Sequence, residues 1–197
     1  MLWWRGWSNN EAVQRRQRER TLGYLSELDG APLNYDEPGM SDRTDVRRGY
    51  RRTLHRERLG NGEVSFHRVW AALHTGQMHR LAGLDVFPDP VTLVVDATFL
   101  TRLSFGPVDM VNPCRVIAVL DEPLRSGVTY GTLVGHVLKG EEQFSLELEP
   151  GGAVWLTIVA VSRPRAFYAR LGSFLTRRAQ SLFAKRYGRA LQSAIRD

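Results

Sequence analysis

Between residues 92 and 162 the chain sets apolar against polar side chains in short runs divided by turn residues, with no helical period between them. The pattern predicts five β-strands, over 92–103, 114–121, 127–137, 141–149 and 153–162. In the first, Leu93, Val95, Ala97, Phe99, Thr101 and Leu103 fall on one face; in the second, Cys114, Val116, Ala118 and Leu120 do. Connectors as short as the one between Val137 and Glu141 leave no room for a crossover helix, so these strands pair antiparallel. Ser162, Arg163 and Pro164 then open a helix over 165–195, since proline suits a first helical turn. Phe167, Leu171, Phe174, Leu175, Ala179, Leu182, Leu191 and Ile195 give that helix one apolar side. Its length, on the order of 45 Å at 1.5 Å per residue, is enough to cross a whole sheet.

Upstream, a strand over 50–59 with charged alternate positions leads through Gly60, Asn61 and Gly62 into a helix over 63–81, striped by Phe66, Val69, Trp70, Leu73 and Gln77. Residues 30–47 are rich in proline, glycine and aspartate without a period and read as an irregular connector. Ahead of them Asn9 or Asn10 can cap a helix over 11–28 that ends at Gly30. This divides the chain into an N-terminal helical arm and connector, 1–47, and a main domain, 48–197. The class is α+β, in which the long C-terminal helix buries its stripe on an antiparallel sheet.

Composition narrows this picture. A chain of 197 residues builds a core without staples, and its one cysteine, Cys114, forms neither an internal disulfide nor a thiolate zinc site. The longest apolar run, 153–161, is far shorter than the ~20 residues of a membrane span, and the opening MLWWRGWSNN lacks the apolar core of a secretory signal. These features read as a cytoplasmic protein with no transmembrane segment. The net charge of +6 is concentrated at the end, where residues 163–197 carry 9 basic side chains and 1 acidic one. Such a face binds phosphates in principle, but with 25 arginines to 2 lysines in the whole chain it reads better as a solvated surface than as a nucleic-acid site.

Three runs carry a family resemblance: NPCRV at 112–116, YGTLVGHVLKGEEQF at 130–144 and VWLTIVAVSRP at 154–164. They resemble the uncharacterised protein family 0548, a group of unknown function in bacteria and plants. LNYDEPG at 33–39, GYRR and RLGNGEVSFHRVWAAL are similar to that family's opening, so the likeness covers residues 22–196. The pattern GTLxGHxxxGEExF is specific, because it fixes three glycines, a histidine and two glutamates within one hairpin. The resemblance implies a helix-grip fold like that of START and birch-pollen-allergen-like proteins, in which a curved antiparallel sheet wraps a C-terminal helix around a cavity. It implies no established activity.

The hairpin supplies most of the candidate residues. Pairing His136 with Glu141 places Thr132 opposite Ser145 and Tyr130 opposite Glu147 on a polar face. The other face then holds Leu133 beside Phe144, Gly131 beside Leu146 and Gly135 beside Glu142. Two inward glycines leave room for a ligand, or for packing and bulges. His136 with Glu141 or Glu142 has the makings of an acid–base pair, or of an ion-paired turn at the sheet rim. Arg115 and Arg163 at strand ends suit either a clamp on a carboxylate or phosphate, or structural capping. Tyr130, Trp155 and Trp70 suit a pocket wall or an ordinary core. Trp3, Trp4 and Trp7 suit packing on the domain, a homodimer contact through the arm or contact with a membrane interface, the first two before the third.

The resulting candidate ligand-binding set is Arg115, Tyr130, Gly131, Gly135, His136, Glu142, Trp155 and Arg163. Cys114, among apolar strand neighbours, reads as a buried core residue before a nucleophile. His67, His74 and His79 form no metal motif, no phosphate or dinucleotide loop occurs, and no cofactor is implied. The expected function is the binding of a small apolar or amphipathic molecule between sheet and C-terminal helix. The alternatives are an enzyme acting on such a molecule through His136 and a glutamate, and an interaction module using the basic C-terminal helix.

Overall fold

The computed structural model describes residues 2–4, 11–105, 108–165 and 173–196. In chain order the elements are β1 (Leu2–Trp4), α1 (Glu11–Glu27), a 3-10 turn (Met40–Asp42), β2 (Arg51–Asn61), α2 (Gly62–His74) and α3 (Gln77–Leu81). There follow β3 (Asp85–Phe87), β4 (Thr98–Phe105), β5 (Val108–Glu122), β6 (Arg125–Thr132), β7 (Leu138–Leu148), β8 (Ala153–Pro164) and α4 (Ser173–Arg196). One curved antiparallel sheet runs in the order β2-β8-β7-β6-β5-β4-β3, with β1 paired to the start of β5. The helix-grip α+β architecture is thus present.

Alternation along the strands sorts side chains onto two faces, and both faces are covered. The inner face presents Val154, Leu156 and Ile158 of β8, Phe144 and Leu146 of β7, Val128 and Tyr130 of β6, and Cys114 and Val116 of β5. Against it pack Phe66, Val69 and Leu73 of α2 and Tyr187, Ala190 and Leu191 of α4. The outer face is covered by the connector and α1. Tyr35 and Met40 lie on Val159 and Val161, while Leu28, Tyr24 and Leu33 lie with Phe87, Leu100, Val111 and Leu133.

One hydrogen-bonded anchor holds the connector there. The Glu141 carboxylate, on the outer side of β7 and only 2% exposed, accepts from the Gly39 N–H at 2.7 Å, the Ser41 N–H at 3.0 Å and the Ser41 hydroxyl at 3.1 Å. Asn34 adds a second tie: its amide donates to the carbonyls of Leu133 and Leu138, and its side-chain oxygen accepts from Thr132.

Four expectations need correction. The helix over 63–81 is two helices, because Gly76 turns left-handed at φ 68 and ends the first, with Thr75 N–H bonded to the Ala71 carbonyl. The segment over 92–103 becomes a strand only at Thr98; Leu93 instead donates to the His74 carbonyl, and Val94 and Val95 are exposed. Of the predicted stripe on α4, Leu191 is buried and Ile195 packs against the core, but Leu182 is 56% exposed, and Phe183, Tyr187, Ala190 and Ala194 complete the buried side; Phe167 and Leu171 lie outside the described residues, as do the side chains of Phe174, Leu175 and Ala179.

The fourth correction concerns the central hairpin. β6 stops at Thr132, whose hydroxyl accepts from the Gly140 N–H at 2.9 Å, and the five residues 133–137 make the turn, with Gly135 at φ 98. Tyr130 therefore pairs with Glu142, Val128 with Phe144 and Gly131 with Glu141. The glycines do not open the inner face. Gly131 points outward beneath Leu33 and the Tyr35 hydroxyl, and Gly135 sits in the turn against the Tyr24 hydroxyl.

Phe144, fully buried at the centre of the inner face and in ring contact with Tyr130 and Tyr187, is the most demanding packing position of the hairpin. Phe144→Ala is expected to cost about 3–5 kcal/mol in denaturant unfolding. A loss below about 1 kcal/mol would contradict this packing.

Candidate functional site

The turn at Gly76 has a chemical consequence. By restarting the helix in a new phase it aims His79 of α3 at the sheet, where the imidazole is wholly buried. Its Nε2 lies 3.3 Å from the Tyr130 hydroxyl, which donates to Oε2 of Glu142 at 2.8 Å. Phe99, Phe144 and Tyr187 surround the imidazole at ring-centroid distances of 6.0, 6.3 and 5.4 Å. A carboxyl, a phenol and an imidazole thus form a hydrogen-bonded chain inside an aromatic shell, with one member each from β7, β6 and α3.

Burial governs the protonation of every member. It pushes the Glu142 carboxyl up to about 7, against which the Tyr130 hydrogen bond acts only partly. It pushes His79 down to about 4, assisted by the Arg80 charge. Burial, with the charge of Glu142 adding to it, raises both tyrosine hydroxyls, Tyr130 and Tyr187, and the Cys114 thiol, so these stay protonated at neutral pH and the thiol is no nucleophile.

The direction of the chain follows from its end. With Glu142 ionised, Tyr130 donates to it and must accept from His79 Nε2–H, leaving the Nδ1 lone pair free. With Glu142 protonated the chain can reverse, so that Tyr130 donates to Nε2 and Nδ1 carries the proton. In both cases Nδ1 is buried without a hydrogen-bond partner.

Glu142 differs from its neighbours in one respect. Tyr130, Phe144 and Ala160 around it are buried, yet Glu142 itself is only partly so. Its Oε2 is taken by Tyr130, no described hydrogen bond reaches Oε1, and the residue keeps partial exposure.

Of the residues singled out from sequence, the structure brings Tyr130 and Glu142 together. Gly131 and Gly135 serve the outer covering, as described. His136 lies in the turn, where its Nδ1 accepts the Leu138 N–H at 2.9 Å and burial pushes the imidazole down to about 3; it meets neither glutamate in the expected pairing. Arg115 donates to the Leu28 and Ala31 carbonyls and to the Thr98 hydroxyl, closing the end of α1. Trp155 lies on the outer side of β8 beneath the Arg56 guanidinium, 4.4 Å from the ring centroid, and Arg163 covers the Tyr50 ring at 4.9 Å. His67 and His74 contact Phe66 and Trp70 on α2, and among the described residues no three ligand-type side chains converge on a metal position.

Two members of the site, His79 and Tyr187, were not singled out for it. Tyr187 stands four residues before Leu191, so the correct phase of α4 would have found it. His79 was hidden by the unbroken reading of the helix, and Gly76 was the available signal.

Comparison with known proteins places this geometry in a wider set. The family model DUF1990, a domain of unknown function, matches residues 34–190, a span that contains His79, Tyr130, Glu142 and Tyr187. A UPF0548 protein of Deinococcus radiodurans is 38% identical over 157 residues, 71% of this chain and 76% of the relative. A UPF0548 protein of Arabidopsis thaliana is 32% identical over 141 residues, 68% of this chain and 67% of the relative. Among solved structures, the hypothetical protein jhp0584 of Helicobacter pylori superposes with a TM-score of 0.54 at 11% identity, covering 82% of this chain and 95% of that one. Ara h 8.0201 superposes with a TM-score of 0.53 at 10% identity, covering 75% and 98%. At such identities the likeness shows the fold alone. Among the described residues no helix is long and apolar enough to cross a membrane.

The raised carboxyl has a sign that can be measured. Between its ordinary value of 4.5 and about 7 the unfolded chain releases the Glu142 proton while the folded chain keeps it. Stability owed to this group is therefore fully present below about pH 4.5 and falls as pH rises, by up to about 1.4 kcal/mol per pH unit. His79 and His136, held neutral when folded, act in the opposite direction between their depressed values and about 6.5. Comparing the wild type with Glu142→Gln isolates the first effect. The wild type should lose stability relative to the variant between pH 5 and 7, and a pH-independent difference would show that Glu142 titrates as an ordinary carboxyl.

Proposed function

The chain belongs to the DUF1990 family, a domain of unknown function, and from the site just described we propose that it binds a small apolar or amphipathic molecule between the inner face of the sheet and α4. The observation that carries this reading is the partly accessible Glu142 carboxyl within an otherwise buried aromatic and aliphatic surface. A binding cavity of this kind needs an apolar lining with a few polar groups to orient the guest. Phe99, Phe144 and Tyr187 offer the lining, and Glu142, Tyr130 and His79 offer the polar end. Energetics point the same way. A carboxyl on an apolar face with a single neutral hydrogen bond costs stability, so a fold selected for stability alone would hold an apolar residue there.

Native mass spectrometry of the purified protein is expected to detect a co-purifying small molecule, and a thermal-shift screen of fatty acids, isoprenoids and aromatic compounds a stabilising class. Tyr130→Phe and Glu142→Gln should reduce the shift, whereas Trp155→Phe on the outer face should leave it unaltered. If no compound stabilises the wild type, or if Trp155→Phe weakens binding as much as the inner-face variants, the reading fails.

A further inference from the structure

Resting on that reading, we infer that the polar end of the site recognises a protonated amine, with Glu142 as counter-ion and the rings of Tyr130, Phe144 and Tyr187 as its aromatic wall. Three observations lead there. First, among the described residues Glu142 has no basic partner: the ion pairs all lie on other carboxylates, and no described cation acts on this one. Second, Oε2 is occupied by the Tyr130 hydroxyl while no described hydrogen bond reaches Oε1 of this partly exposed residue, so the carboxyl has an acceptor to offer. Third, Tyr130, Phe144 and Tyr187 succeed one another at centroid distances of 5.6 and 5.5 Å, with the neutral His79 imidazole against all three. A carboxylate beside several aromatic faces is the arrangement that attracts an ammonium group, through ion pairing and the negative faces of the rings together.

Other head groups fit less well. A carboxylate ligand would be met only by the protonated Glu142 and repelled once that carboxyl ionises above about pH 7, in a medium of low polarity. An alcohol would satisfy Oε1 but gain nothing from the rings.

Binding of an ammonium requires Glu142 to be ionised, so it should displace the proton that burial keeps on the carboxyl up to about pH 7. Among the described residues the groups facing Glu142 are Tyr130 from β6, Cys114 from β5, Tyr187 from α4 and, through Tyr130, His79 from α3. All four stay uncharged from pH 6 to 8. On the far side β8 and β2 contribute Ala160 and Thr53 in the same row, with His55 and Glu57 farther along β2.

The test is calorimetric titration with dodecylamine, dodecan-1-ol and dodecanoate, each below its micellar concentration, at pH 6, 7 and 8. Dodecylamine should bind most tightly at pH 8 and about tenfold more weakly at pH 6, as expected for one coupled proton. Glu142→Gln should abolish both the preference for the amine and its pH dependence while retaining the alcohol. If amine and alcohol bind equally at pH 8, or Glu142→Gln keeps the preference, the amine assignment is overturned and the binding site stands. If none of the three binds the wild type, both fail. Should Glu142→Gln not fold, a flat pH dependence of amine binding to the wild type overturns the assignment by itself.

Discussion

Side chains alternate across a strand, and on β7 this places two adjacent glutamates on opposite sides of the sheet. Glu141 turns outward and is met by two backbone N–H groups and a hydroxyl from residues 39–41. Glu142 turns inward and is met by one phenol. A slip of one residue in the pairing of β6 with β7 would exchange them, removing the anchor of the connector and placing the unsatisfied carboxylate where three donors now wait. The register of this pair therefore decides what covers the outer face and which carboxyl stands on the inner one.

The two glutamates also show how to separate structure from function by energy. Burying a carboxylate is costly, and Glu141 offsets that cost with three short hydrogen bonds from a rigid turn. Glu142 is left with one, and its carboxyl responds by holding its proton to about pH 7. A buried ionisable group with its environment matched is explained by the fold. One whose environment leaves it strained toward neutrality, in a position with accessible surface, needs a reason outside the fold.

Much of this was legible in the sequence, and what was not has a common cause. Strand periodicity, short connectors and the stripe on α4 were sufficient for the antiparallel sheet and the gripped helix, because these are set locally. The hairpin register was not, because Asn34 helps to fix it: its side chain bonds Thr132, Leu133 and Leu138 across separations of 98, 99 and 104 residues along the chain. Gly131 looked like inward space for the same reason; its missing side chain makes room for Tyr35, a contact about a hundred residues away along the chain. Tyr130 and Glu142 were found as members of one motif, although the face they share had to await the structure. His79 was lost to a single left-handed glycine.

The placement of protons in the interior ties these features together. In water a histidine holds its proton more firmly than a glutamate, so an exposed pair would carry two charges near pH 6. Here the order is reversed: the carboxyl is held up to about 7 and the imidazole down to about 4, so the chain through Tyr130 is neutral over that range. The reversal needs no direct contact between the two groups. Each is desolvated separately, and with Tyr130 between them an ion pair would gain too little to offset two burial costs. Among the described residues no cation meets Glu142, and the basic group nearest along the chain, His79, is disarmed by the same kind of burial that raises the carboxyl. A charge on Glu142 is therefore met, among the described residues, by the Tyr130 hydroxyl alone, and the carboxyl keeps its proton to about pH 7.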